Sequence, residues 1–187
     1  VLFRSFLRDN IAGASAVRKR GPAEDIAALA KKGRFDVISL GHGGATALDA
    51  LYRRSIALTL LESPLETPLW ISRWPAKDAR NVLVCVDGSP ESVRAAGHAA
   101  AMLAGEPEHE IHILHVRDPA KDKPRDARMA VDAAFSAVVA GGFPESRVRV
   151  AIKQGEEVVR IIRERLRKHG YAAAAVGRSG ADMPSRR

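Results

Sequence analysis

Two glycine-rich turns are the segments of this chain best suited to chemistry: Gly41-His42-Gly43-Gly44 and Gly177-Arg178-Ser179-Gly180, each following a short apolar run. Glycine at the end of a strand lets peptide N–H groups approach phosphate oxygens with no Cβ in the way. A helix N-terminus behind such a turn adds donors and partial positive charge. An anionic ligand is what these turns suit, and the plainer alternative for Gly41 and Gly177 is a tight turn with no ligand. Asp87 closes the apolar run Val82 to Val86 and precedes Gly88-Ser89-Pro90. Its carboxylate can accept hydrogen bonds from a ligand or cap the next helix, although Ser89 is better placed for capping. His109, His112 and His115 have the look of a metal cluster, but strand alternation turns 109 and 115 one way and 112 the other, so no metal site is expected. Cys85 lies within an apolar strand and is expected to be an inert core thiol. No carboxylate pair, no serine or cysteine with a partner histidine and no complete P-loop is present, so an enzyme is not expected.

The elements that position these residues repeat. A first copy runs from Val17-Arg18-Lys19-Arg20-Gly21 through a helical stretch to Lys32, then Phe35-Asp36-Val37-Ile38-Ser39-Leu40 into Gly41. A second runs from Ala151-Ile152-Lys153-Gln154-Gly155 through a helical stretch to Lys168, then Tyr171 to Val176 into Gly177. They lie roughly one domain length apart, far more than a solenoid repeat. The later helix, predicted over 156–168, carries Val158, Ile161, Ile162 and Leu166 on one side and mostly charged residues on the other. The earlier one starts at Gly21-Pro22, with Pro at the first helical position, and is expected to bury Ile26, Leu29 and Ala30. Between the copies come a strand ending at Asp87, a helix capped by Ser89 with Pro90 at its first position, a strand over His109 to Val116, and an Ala/Val-rich helix over 126–140. Short, continuously apolar strands alternating with helices predict α/β architecture: a doubly wound parallel sheet with ligands at the carboxyl ends of the strands.

The chain has 187 residues, 46% hydrophobic and 28% charged, a globular rather than disordered composition. Its net charge of +8 favours anions in general. The basic residues from Arg160 to Lys168 are interrupted by Glu164 and have no aromatics among them, so a solvated helix face is expected there and nucleic acid is not. The single cysteine fits a reducing compartment, and no apolar run approaches the roughly 18 residues of a membrane span, so a cytoplasmic location is expected. The sequence opens without Met and without a signal-peptide pattern, which suggests a start inside a longer reading frame.

Taken together, the repeated strand, helix and Gly-x-x-Gly units and the intervening Val84-Cys85-Val86-Asp87-Gly88-Ser89 and Leu114-His115-Val116 resemble a tandem universal stress protein. In the first copy Ala45 to Arg53 separate the Gly-x-x-Gly from Arg54-Ser55, where the family has Gly-Ser or Gly-Thr. Ile56 to Leu61 and Thr67-Pro68-Leu69-Trp70-Ile71 resemble the family's last helix and closing strand. The resemblance implies a Rossmann-like, adenine nucleotide α-hydrolase-like fold in two incomplete tandem copies: residues 1–74 as the C-terminal part of a first domain, 75–80 as linker, and 81–187 as a second domain lacking its last helix and strand. The alternative is a circularly permuted domain assembled from 14–72 and 81–117.

The resemblance further implies ATP or a related adenine nucleotide as a regulatory ligand in stress response. Val86, Asp87 and Val116 would hold the adenosine portion, and Gly177, Ser179 and Gly180, with Gly41, Gly44 and Ser55 in the first copy, the phosphates. Arg54 enters where the family has glycine, and either blocks phosphate or pairs with it. A degenerate member that binds no nucleotide and acts as a dimerisation module, pairing through the closing strand around Leu69 to Ile71, is the competing expectation.

Overall fold

In a computed structural model of the chain, the residues described are 21–33, 35–41, 56–63, 65–72 and 79–178. The chain divides into two compact units, Val1–Ile71 and Ser72–Arg187.

The first unit contains α1 (Pro22–Gly33), β1 (Ile38–Gly41), the helical stretch α2 (56–62) and all but the last residue of β2 (Leu69–Ser72). β1 and β2 pair as a two-stranded sheet, and the amide of Ile38 donates to the carbonyl of Pro68 at 2.9 Å. α1 begins at the proline, with Glu24 and Asp25 in its first turn and Lys31 and Lys32 in its last, the arrangement its dipole favours. Its buried residues are Ala23 and Ala30, whereas Leu29 is 46% exposed. The expected burial of Leu29 is therefore corrected. The inward stripe is Ala23, Ile26, Ala27 and Ala30, and Leu29 lies nearly a third of a turn off its centre.

The second unit runs β3 (Val82–Val86), α3 (Pro90–Leu103), β4 (Ile111–Arg117), α4 (Pro124–Ala140), a 3-10 turn at Glu145–Arg147, β5 (Val148–Gln154), α5 (Val158–His169) and β6 (Ala173–Val176). All four strands are parallel, in the order β5-β4-β3-β6. This is the α/β parallel sheet expected from the alternating pattern.

Alternation along the strands sorts side chains onto two faces. Val82, Val84, Val86, Ile111 and Ile113 pack beneath Ala96, Ala99 and Ala100 of α3 and Val131, Ala134 and Val138 of α4. On the other face Leu83, Leu114 and Val116 meet Cys85, Ile161, Ile162, Leu166 and Tyr171. Burying a side chain such as Leu83 or Ile111 completely contributes about 2 kcal/mol each. Small residues let α3 and α4 come close: a Cβ on Gly141 would stand 2.9 Å from the Cβ of Ala100.

From β3 the chain steps outward to β4 and β5, then returns across β3 to lay β6 on its other side. The carboxyl ends of β3 and β6 are thus neighbours at the reversal point of the sheet, where open α/β sheets hold ligands.

Candidate functional site

At the end of β3, Val86 is buried and Asp87 is exposed. Gly88 takes φ +86, the left-handed region that glycine enters without steric penalty, and turns the chain into α3. Ser89 is the N-cap, with extended backbone at φ −69 and ψ 151, and Pro90 follows at the first helical position. The Ser89 hydroxyl accepts from the amide of Ser92 at 3.2 Å. Asp87 Oδ1 in turn accepts from the Ser89 amide at 2.9 Å and the Ser89 hydroxyl at 2.6 Å. Burial works to raise the Asp87 pKa, but the bonds from the Ser89 hydroxyl and amide, helped by the Ser92 hydroxyl, outweigh it and hold the carboxyl below the ordinary aspartate value. Ser89→Ala removes the cap and is expected to destabilise the unit by about 1 kcal/mol, read as a lower midpoint in urea with an unchanged slope.

Val116 is buried near the end of β4, in the cluster with Leu83 and Leu114. The side chains of Val86 and Val116 belong to opposite faces of the sheet. What they share is the carboxyl edge, where Asp87 also stands.

Gly177 follows β6, whose Val176 pairs with Cys85. A Cβ there would lie 2.3 Å from the Ser92 nitrogen, 2.5 Å from its Cα and 2.6 Å from the Glu91 carbonyl carbon. The missing side chain therefore admits the first turn of α3. Gly177, Ser92 and Asp87 form a contiguous group, since the Asp87 amide reaches the Ser92 hydroxyl at 3.4 Å. Gly41 stands at the end of β1 in the first unit, and among the described residues nothing lies within 4 Å of a Cβ built on it. Gly44, Ser55, Ser179 and Gly180, along with Arg54, lie outside the described residues.

Sequence reasoning missed Ser92 and His115. Ser92 is 2% exposed, and its hydroxyl donates to the Ser89 carbonyl at 2.9 Å while accepting from Asp87. The Ser-Pro-Glu-Ser spacing was the available signal. His115, which the sequence offers as part of Leu114-His115-Val116 and as one of three spaced histidines, is buried, and its Nδ1 bonds the Val86 carbonyl at 2.9 Å. His112 lies on the opposite face, with Nδ1 to the Tyr171 hydroxyl at 2.8 Å and Nε2 to Glu110 at 3.0 Å. Among the described residues no group of three potential metal ligands gathers. Burial pushes the Cys85 thiol up to about 11, against a smaller opposing pull from Arg165, so little thiolate exists at neutral pH.

One cavity of about 380 Å³ lies in the first unit, against Ala27, Ala30, Lys31, Ser63, Leu65 and Thr67. Another, of about 550 Å³, lies in the second unit between Pro119, Gln154–Glu157, Arg160 and Ile161, past the ends of β4 and β5. None of the candidate residues lines either.

A sequence model of the Universal stress protein family matches residues 79–186. No curated protein matches in sequence. Among solved structures, a universal stress protein from Archaeoglobus fulgidus aligns at a TM-score of 0.57 and 20% identity, covering 98% of this chain and 76% of that one. A putative universal stress protein from Pseudomonas aeruginosa aligns at 0.54 and 16%, covering 97% and 69%. Identity at this level speaks for the fold. An Arabidopsis thaliana family protein with AMP bound aligns at only 0.37 and 17%, covering 57% and 97%, too slight a likeness to bear on this chain's ligand.

Proposed function

The chain belongs to the universal stress protein family, and on that premise we propose that it binds ATP or a related adenine nucleotide at the carboxyl ends of β3 and β6. The observation that carries this reading is the held carboxylate of Asp87. It stands at the reversal point of the sheet, and the Ser89 turn both orients it and keeps it ionised. A fixed anion at that place suits ribose hydroxyls, which are donors, and repels phosphates toward the far end of the site. Both Ser89 bonds use Oδ1, and Oδ2 is the oxygen proposed to meet the sugar. Gly177 lies against the start of α3, and on this reading Gly177, Ser179 and Gly180 serve the phosphates.

The ligand acts as a regulatory signal and is not turned over. A cytoplasmic location accompanies this reading. Among the described residues no helix is long and apolar enough to cross a membrane.

One observation favours the competing interaction-module reading: the Gly177 bend is occupied by α3 backbone. Thermal unfolding with and without ATP and AMP separates the two. Nucleotide at one hundred times its Kd stabilises the bound state by about 2.7 kcal/mol, a rise in Tm of roughly 10 °C for a unit of this size. No rise with any adenine nucleotide, together with concentration-dependent self-association, selects the interaction module instead.

A further inference from the structure

The Val86–Asp87 peptide unit is gripped on both sides. Its carbonyl accepts from His115 Nδ1 at 2.9 Å, and its N–H donates to the Ser92 hydroxyl at 3.4 Å. The first of these bonds is of ordinary length and buried and the second is long, so of the two side chains His115 is the stronger hold, added to the main-chain pairing of Val86 with β4. A carbonyl only accepts, so Nδ1 is the donor in this bond. His115 is 5% exposed, and its Nε2 has no hydrogen-bond partner among the described residues. The buried ring therefore makes one bond, to the peptide that leads into Asp87. This peptide lies beyond the last β3–β6 pair, Cys85 with Val176, so on that side pairing no longer fixes it. Residues on either side of the bond are the proposed ligand contacts: Asp87 follows Val86, and Val116 follows His115. On its far side the same turn is supported by α4, because a Cβ on Gly88 would stand 3.3 Å from that of Ala130.

We infer that His115 is a positioning residue for the ligand site: by donating Nδ1–H to the Val86 carbonyl it sets the plane of the Val86–Asp87 peptide and thereby the place of the Asp87 carboxylate relative to Val116. The inference rests on the nucleotide reading for its functional meaning but not for its geometry. His115→Phe keeps the ring and removes the donor, and His115→Asn places an amide nitrogen where Nδ1 stood.

The test uses the full chain and two readouts. The first is amide hydrogen exchange at Ser89, whose N–H is held by Asp87, in the absence of nucleotide. Exchange is expected to accelerate about tenfold in His115→Phe and to return toward the parent rate in His115→Asn. The second is ATP affinity by calorimetry in a cycle with Asp87→Ala. Kd is expected to rise about tenfold in His115→Phe, recover in His115→Asn, and be no worse in Asp87→Ala/His115→Phe than in Asp87→Ala alone. Unchanged Ser89 exchange in both variants overturns the inference whatever the nucleotide does, as does a strictly additive cycle. If the parent chain binds no adenine nucleotide while Ser89 exchange responds as expected, the nucleotide reading fails and the positioning of Asp87 by His115 stands.

Discussion

Gly177→Ala is expected to destabilise the second unit by about 3 kcal/mol, lowering its Tm by roughly 10 °C. The new methyl would lie 2.3 Å from the Ser92 nitrogen and 2.6 Å from the Glu91 carbonyl carbon. Both are backbone atoms in the first turn of α3, so no rotamer change relieves the contact. Either β6 withdraws from α3 or the turn containing Asp87, Ser89 and Ser92 shifts. Gly177 is not among the glycines with positive φ, so the requirement is for space rather than for unusual backbone. Gly41→Ala is the control. Among the described residues nothing lies within 4 Å of its Cβ, and the change is expected to stay within about 0.5 kcal/mol. Calorimetric unfolding of both variants checks the pair, and equal Tm values would show that the two glycines are alike after all.

Asp87→Ala is expected to weaken ATP about 10- to 150-fold, because a hydrogen bond to a charged acceptor contributes about 1.5–3 kcal/mol. The substitution also removes both bonds to Ser89, so a loss of stability accompanies it. Asp87→Asn separates the two effects. It keeps an acceptor for the Ser89 turn and loses the charge that favours a sugar, so binding falls while Tm stays near the parent value. The pH dependence has a definite sign. The folded carboxyl titrates below the ordinary aspartate value of 3.8, so its contribution to stability is complete above that pH. It is lost as pH falls through the lower folded value.

The turn that carries Asp87 was legible in the sequence because its chemistry is local. Ser89 as N-cap, Pro90 at the first helical position and Gly88 as the bend each follow from one residue's own conformational preference. The parallel sheet was legible as well, from continuously apolar strands between amphipathic helices. What escaped notice depends on strand register and tertiary approach. His115 meets the Val86 carbonyl only because β3 and β4 pair Val86 with His115. Gly177 meets Ser92 only because β6 returns to the far side of β3, so a glycine read as room for a ligand also makes room for a helix. Leu29 went astray for a simpler reason: the apolar stripe of α1 is made mostly of alanines, and Leu29 lies at its margin.

The most direct measurement is the two-dimensional amide spectrum of the isotopically labelled chain during titration with ATP. The expected result is that the largest shifts fall on Asp87, Gly88, Val116 and Gly177, saturating with a single affinity. Shifts confined to the basic face of α5, or none at all, would contradict an adenine nucleotide site at the carboxyl ends of β3 and β6.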